Sequence, residues 1–313
     1  MTGAERGFLL LCCHLGDPQR RPLTVAQFRK LARLVRSAEK DAQDRELVLS
    51  DLMQLGCGKE EAQRILSLLD EEERLDRYLA KGAKFGCVPL TPLSPGYPRR
   101  LLTALGDDAP ACLWARGDLS LLERPGVALV GSRDLNPENA TFARQVGREA
   151  ANQGLTLISG NARGADRTAQ EAALAAGGAV ICILADRLTD HVPVPNLLYL
   201  SEEGFELEFS AQRALSRNRC IHALGLRAIA AQCTLRSGGT WDGSVKNLRH
   251  GWSPLYIFDD QSESAEVLEQ MGAVKVGFEN LKNLRDLPAP NQMRICKIPD
   301  LRPGFLFPYY ALE

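Results

Sequence analysis

An α/β fold, a doubly wound and mostly parallel sheet behind a small all-helical N-terminal domain, is the fold class that the sequence predicts. Two short apolar runs, at 127–130 and 155–158, flank a segment of helical period at 140–153. That is the pattern of a βαβ unit in a sheet buried on both faces. A third run, 179–184, follows an alanine-rich segment at 168–176 and continues the rhythm. Ahead of them, residues 1–88 carry apolar positions at helical spacing. Glycine and proline then accumulate (Gly82, Gly86, Pro89, Pro92, Pro95, Gly96), which places a boundary there.

In the helical domain, 1–88, Thr24 reads as the N-cap of a helix carrying Val25, Phe28, Leu31, Leu34 and Val35. Between 52 and 69, Leu55-Gly56-Cys57-Gly58-Lys59 followed by Ala62, Ile65 and Leu66 has the pattern of a helix-hairpin-helix. Such a hairpin directs backbone N–H groups and a lysine such as Lys59 at a DNA phosphate. Alternatively its glycines serve only the turn, which a single copy favours. Residues 70–76 hold five acids against one arginine and read as a solvated helix face.

The α/β domain is expected over 89–270. Its first strand, 127–130, is stopped by Gly131-Ser132-Arg133, and Phe142, Val146 and Ala150 share one face of the helix that follows. Gly154 ends that helix, and the second strand opens into Ser159-Gly160-Asn161-Ala162-Arg163-Gly164-Ala165-Asp166. At the carboxyl end of a parallel strand, the next helix presents unpaired N–H groups and the positive end of its dipole. Small residues let a phosphate approach that backbone, and an arginine adds a planar fork of donors. Two such loops in succession, each with an arginine, favour an anion crevice over plain tight turns. Arg133 and Arg163 are expected to hold phosphate there, whereas Arg144 and Arg148 lie in the intervening helix and face solvent or a neighbouring helix.

Residues 209–251 carry seven basic residues against one acid, Asp242. That bias supplies a phosphate-binding face that the whole-chain charge of −1 hides. Arg217-Asn218-Arg219 reads as the opening of a helix, although these arginines have acids at 202–208 as alternative partners. Residues 229–233 form a weaker strand, and Ser237-Gly238-Gly239-Thr240-Trp241-Asp242-Gly243 a third anion loop in which Trp241 is available to stack a base. The last strand is 255–258, and 271–313 is too short and proline-rich to be a further domain.

Composition narrows the class. Hydrophobic residues make up 45% and charged residues 25%, ordinary for a globular protein. The nine cysteines are scattered without zinc-knuckle spacing and read as reduced core thiols of a cytoplasmic protein. The apolar stretch 8–13 is too short for a membrane span or signal peptide. His191, His222 and His250 are isolated and read as surface or satisfied interior side chains. No metal site, cofactor site or catalytic grouping emerges.

These motifs, in order, resemble the DprA/Smf family of DNA-processing proteins. The resemblance rests on Gly131-Ser132-Arg133, on the 159–166 loop, and on Gly96-Tyr97-Pro98-Arg99-Arg100-Leu101 with the 109–118 segment as lead-in. It also rests on Arg217-Asn218-Arg219-Cys220-Ile221 and Arg236-Ser237-Gly238-Gly239, and it covers about residues 90–260. It implies a Rossmann-like domain that binds single-stranded DNA, with protection of incoming strands and loading of a RecA-type recombinase in natural transformation. A homodimer is expected too. Departures at 136–139, at Gln170 (where the family has histidine) and at 240–243 point to a divergent branch.

The expected phosphate-binding set is Gly131, Ser132, Arg133, Ser159, Gly160, Arg163, Gly164, Arg217, Asn218, Arg219, Ser237, Gly238, Gly239 and Thr240. Two other readings use the same pocket. Rossmann-like phosphoribohydrolases carry a catalytic glutamate in the third loop, but Gly243 occupies its place here and Asp242 is offset by one residue. A nucleotide sensor in a defence role would bind one nucleotide without turnover.

Overall fold

The computed structural model describes residues 1–37 and 48–289. Five helices come first: α1 (Gly3–Cys12), α2 (Val25–Ser37), α3 (Leu49–Gln54), α4 (Lys59–Leu69) and α5 (Glu72–Lys84). Thr24 caps α2, its hydroxyl accepting from the Gln27 N–H at 3.2 Å. Gly56, with φ +91°, makes the turn between α3 and α4 and leaves Lys59 exposed at the start of α4.

The α/β part begins with β1 (Val88–Leu90), α6 (Arg99–Leu105) and β2 (Leu113–Gly117). Then follow β3 (Gly126–Val130), α7 (Pro137–Asn152), β4 (Thr156–Ser159), α8 (Ala165–Ala175), β5 (Ala179–Leu184) and β6 (Leu197–Glu202). The chain closes through α9 (Ala211–Leu224), β7 (Arg227–Ala230), α10 (Gly238–His250), β8 (Leu255–Phe258), α11 (Glu263–Gln270) and β9 (Val274–Val276). Among the described residues these strands make one sheet of order β1-β2-β6-β5-β4-β3-β7-β8-β9. Strands from β6 to β9 in that order run parallel, and β2 and β1 extend one edge antiparallel. This is a Rossmann-like α/β sheet.

Side-chain alternation explains why each parallel strand is apolar throughout. Val127 and Leu129 of β3 join Val180 and Cys182 of β5 on one face, under α7 and α8. Ala128 and Val130, with Ile181 and Ile183, fill the other face under α6, α9, α10 and α11. Helices α1 and α5 do not stand apart from this sheet. Leu9, Leu10, Leu75 and Tyr78 belong to the same core as Trp114 and Phe205, and Tyr78, Trp114 and Phe205 meet with ring centroids 4.7–5.3 Å apart.

Four expectations are corrected. The helix after β3 starts at Pro137, three residues before the first periodic apolar position, because proline suits a first helical turn. Residues 217–219 do not open a helix but lie inside α9, whose N-cap is Ser210, accepting from the Arg213 N–H at 3.0 Å. The segment from 238 is not a loop: α10 begins there. Finally, β8 is not the last strand, and 271–289 is no tail. Val274–Val276 pairs parallel with β8, and a 3₁₀ segment, Phe278–Asp286, buries Leu281 and Leu284 in the core face shared with α7. The rest of the expected tail, 290–313, lies outside the described residues. Among those described, no helix is long and apolar enough to cross a membrane.

His222 of α9 is fully buried, and neither ring nitrogen has a hydrogen-bond partner among the described residues, so it is not the satisfied interior histidine expected. Burial disfavours its charged form and lowers its pKa from 6.5 to about 4. The unfolded chain therefore binds a proton here that the folded chain refuses. Stability is unaffected above pH 6.5, falls as pH drops from 6.5 to 4 by about 1.4 kcal/mol per pH unit, and then levels. Urea unfolding of the wild type against His222→Leu checks this, since the variant should lose that component of the acid slope.

Candidate nucleic-acid interface

The strand order reverses between β3 and β7, because the chain moves outward from β3 to β6 and then returns to β3's other side. In such sheets the helices on either side of the switch diverge and leave a crevice beyond the strand ends. Here that crevice measures about 420 Å³. Its walls are the loop after β3, the loop after β7 with the first turn of α10, and the face of α9 carrying Ala211, Ala214, Leu215 and Asn218. Those positions follow the i, i+3, i+4, i+7 spacing of one helical stripe.

The two loops predicted to merge are joined by main chain. The Ala165 N–H donates to the Ser132 carbonyl at 3.1 Å. Gly164 has φ +87°, and a Cβ there would stand 2.3 Å from the Ser132 oxygen and 2.5 Å from the Arg133 oxygen. Only glycine allows that approach. From β7's side, Gln232 holds the first loop: its carbonyl accepts from the Ser132 N–H at 2.9 Å, and its side chain bonds the Asn136 N–H and the Asp134 carbonyl. Arg133 is left exposed on the crevice wall with no hydrogen bond or ion pair among the described residues. Opposite it, α10 begins after Ser237 with no side-chain cap. Its first N–H groups and Arg133 thus offer uncommitted donors to one space, the arrangement an anion needs.

Beneath them lies a buried charge couple. Arg217 is 8% exposed and its Nη2 donates to the Gly160 carbonyl at 2.9 Å. Asp166 is 5% exposed and accepts from the Gly160 and Ala162 N–H groups at 2.9 and 3.2 Å. Burial raises the Asp166 pKa, while Arg217 and those two N–H groups pull it back down. Burial lowers the Arg217 pKa, against the attraction of Asp166. The pair props the second loop from below.

Of the predicted set, the crevice wall contains Gly131, Ser132, Arg133, Arg217, Asn218, Ser237, Gly238, Gly239 and Thr240. The others are placed elsewhere, each for a physical reason. Ser159 is fully buried and its hydroxyl accepts from Gln170, so it faces the core. The Gly160 N–H is already spent on Asp166, and Gly164 serves the loop contact. Arg163 is 73% exposed and paired with Asp134 at 2.7 Å, away from the crevice wall. Arg219 points off the opposite side of α9 to Glu202 at 2.6 Å, the alternative pairing the sequence offered. Trp241 is buried in the core under α10 and presents no face to a base. Arg144 and Arg148 are exposed in a groove between α7 and α8, as expected.

Two residues escaped sequence reading. Asp166 was noticed only as the end of a loop motif. Phe209 is 57% exposed and stands two residues before Ala211 of the crevice wall. Its place just before a serine cap was its available signal. Asp242, the nearest substitute for a catalytic acid, is paired with Lys246 at 2.9 Å and does not line the crevice.

Comparison with known proteins gives this site its context. The profile of the family "DNA recombination-mediator protein A" matches residues 89–277. The chain is 33% identical over 179 residues to DNA processing protein DprA of Streptococcus pneumoniae, covering 53% of this chain and 63% of that one. It is 29% identical over 198 residues to protein Smf of Escherichia coli, covering 60% and 52%. The chain thus spans less than two thirds of the length of these curated relatives. The X-ray structure of the S. pneumoniae DprA superposes with a TM-score of 0.64 at 25% identity, over 85% of this chain and 99% of that one. The Helicobacter pylori DprA, solved for its single-stranded DNA binding mode, superposes with a TM-score of 0.52 at 26% identity, over 63% and 93%. With its Rossmann-like sheet, its switch-point crevice and this match across most of the α/β part, the chain belongs to the DNA recombination-mediator protein A family, the DprA/Smf DNA-processing proteins.

Proposed function

We propose that this chain binds single-stranded DNA in the crevice between β3 and β7. One observation carries the reading: Arg133 and the uncapped first turn of α10 are free donors converging on one space. The phosphates sit against these donors, and the exposed Phe209 takes the stacking role first expected of Trp241. The single-stranded DNA binding of the H. pylori relative supports the choice of ligand. On this reading the protein is a cytoplasmic, non-catalytic homodimer that protects incoming strands and loads a RecA-type recombinase. The absence of a glutamate at Gly243 and the Lys246 partner of Asp242 support a binding rather than a hydrolytic role.

A salt series tests it. Each phosphate contact on a single strand contributes a slope of about −0.7 to log binding against log salt. Three contacts then lose about tenfold to twentyfold between 50 and 200 mM salt, on the order expected from counterion release. Fluorescence anisotropy of a labelled single strand should show that loss, with base composition mattering much less. A flat salt profile, or release of free base from nucleoside monophosphates, would overturn the reading.

A further inference from the structure

Helix α9 is a ridge with a hollow on each side. Its far side faces a second, larger cleft of about 840 Å³, between the loop after α1 and the α9–α10 pair. Leu215 and Asn218 line both spaces, so the cleft continues from the crevice over the ridge. The two differ in charge. In the cleft, Arg219 is taken by Glu202, Lys246 by Asp242 and Arg20 by Glu71. That leaves Asp108 and Glu203, without ion-pair partners among the described residues, against Arg21. A phosphate gains nothing there. A neutral ring does: at the end of α10, His250 and Trp252 lie parallel with centroids 5.3 Å apart and an interplanar angle of 7°, a preformed aromatic platform in the cleft wall. His250 is exposed and Trp252 half-buried.

We infer that this cleft is a nucleobase site for the strand whose phosphates occupy the crevice, and that it favours bases bearing an amino group. The His250–Trp252 platform supplies stacking, and the free carboxylates accept the amino hydrogens of cytosine or adenine, which thymine lacks. The inference rests on the crevice reading above. It adds a source of base preference to a phosphate-held strand.

Trp252 provides the test, because the other two tryptophans, Trp114 and Trp241, are buried at 1% and 7% exposure. The full chain is titrated with fluorescein-labelled hexadeoxycytidylate and hexathymidylate, with anisotropy reporting binding, and with the unlabelled hexamers for tryptophan emission. Hexadeoxycytidylate should bind at least threefold tighter and quench tryptophan emission, and the quench should vanish in Trp252→Phe. His250→Ala should bring the two hexamers within twofold of each other. Tight binding of both with equal affinity, or with unchanged tryptophan emission, overturns the base site and leaves the crevice reading standing. No anisotropy change for either hexamer overturns both.

Discussion

Arg217→Ala should destabilise the protein by about 1.5–3 kcal/mol, the worth of a buried hydrogen bond from a charged group. Arg217 is nearly buried, its guanidinium bonds the Gly160 carbonyl, and Asp166 lies within its field. Removing it leaves the nearly buried Asp166 carboxylate with two backbone N–H donors and the weaker field of Arg133. The variant's urea midpoint should fall steeply, and Asp166→Asn in the same chain should recover part of the loss by removing the stranded charge. Full stability in Arg217→Ala with lost DNA binding would instead make Arg217 a ligand to phosphate, as its sequence context first suggested.

Arg133→Ala should do the reverse: binding of a single strand should weaken about tenfold to a hundredfold, the worth of a charge-assisted contact of about 1.5–3 kcal/mol. Stability should hold, because the Arg133 side chain is exposed and makes no hydrogen bond or ion pair among the described residues. Arg163→Ala should weaken binding less than threefold, since its guanidinium is engaged by Asp134 outside the crevice wall. Lysine at 133 should restore binding only partly, lacking the two-pronged donor. Anisotropy titrations of the three variants decide the matter. Equal losses in Arg133→Ala and Arg163→Ala would mean a diffuse basic surface in place of a crevice.

The parallel sheet was legible because its strands are short, wholly apolar and separated by helical spacing, a pattern carried by neighbours in sequence. The first loop was legible for the same reason: a strand end, small residues and an arginine are all local. What could not be read was which way a side chain points once distant segments pack. Ser159 and Arg163 flank Gly160 in one motif, yet one turns into the core toward Gln170 and the other out to Asp134. Trp241 sat in a glycine-rich stretch that looks like a loop, but α10 starts at Gly238 and carries the ring into the core. Arg219 follows Arg217 by two residues, about half a helical turn, so the two point to opposite sides of α9. β9 was missed because its three residues, Val274–Val276, are too few to show a period.

The Tyr78–Trp114–Phe205 contact separates the reach of the family profile from mechanical independence. The family match starts at residue 89, so Tyr78 falls outside it while Trp114 and Phe205 fall inside. Cutting where the profile match begins would strip the cover from two large aromatic side chains, each with roughly 150–250 Å² to hide. The segment that the family profile matches is therefore not a removable cassette. Any exchange of the helical segment, by recombination between genes or by design, has to carry a ring of matching shape at position 78.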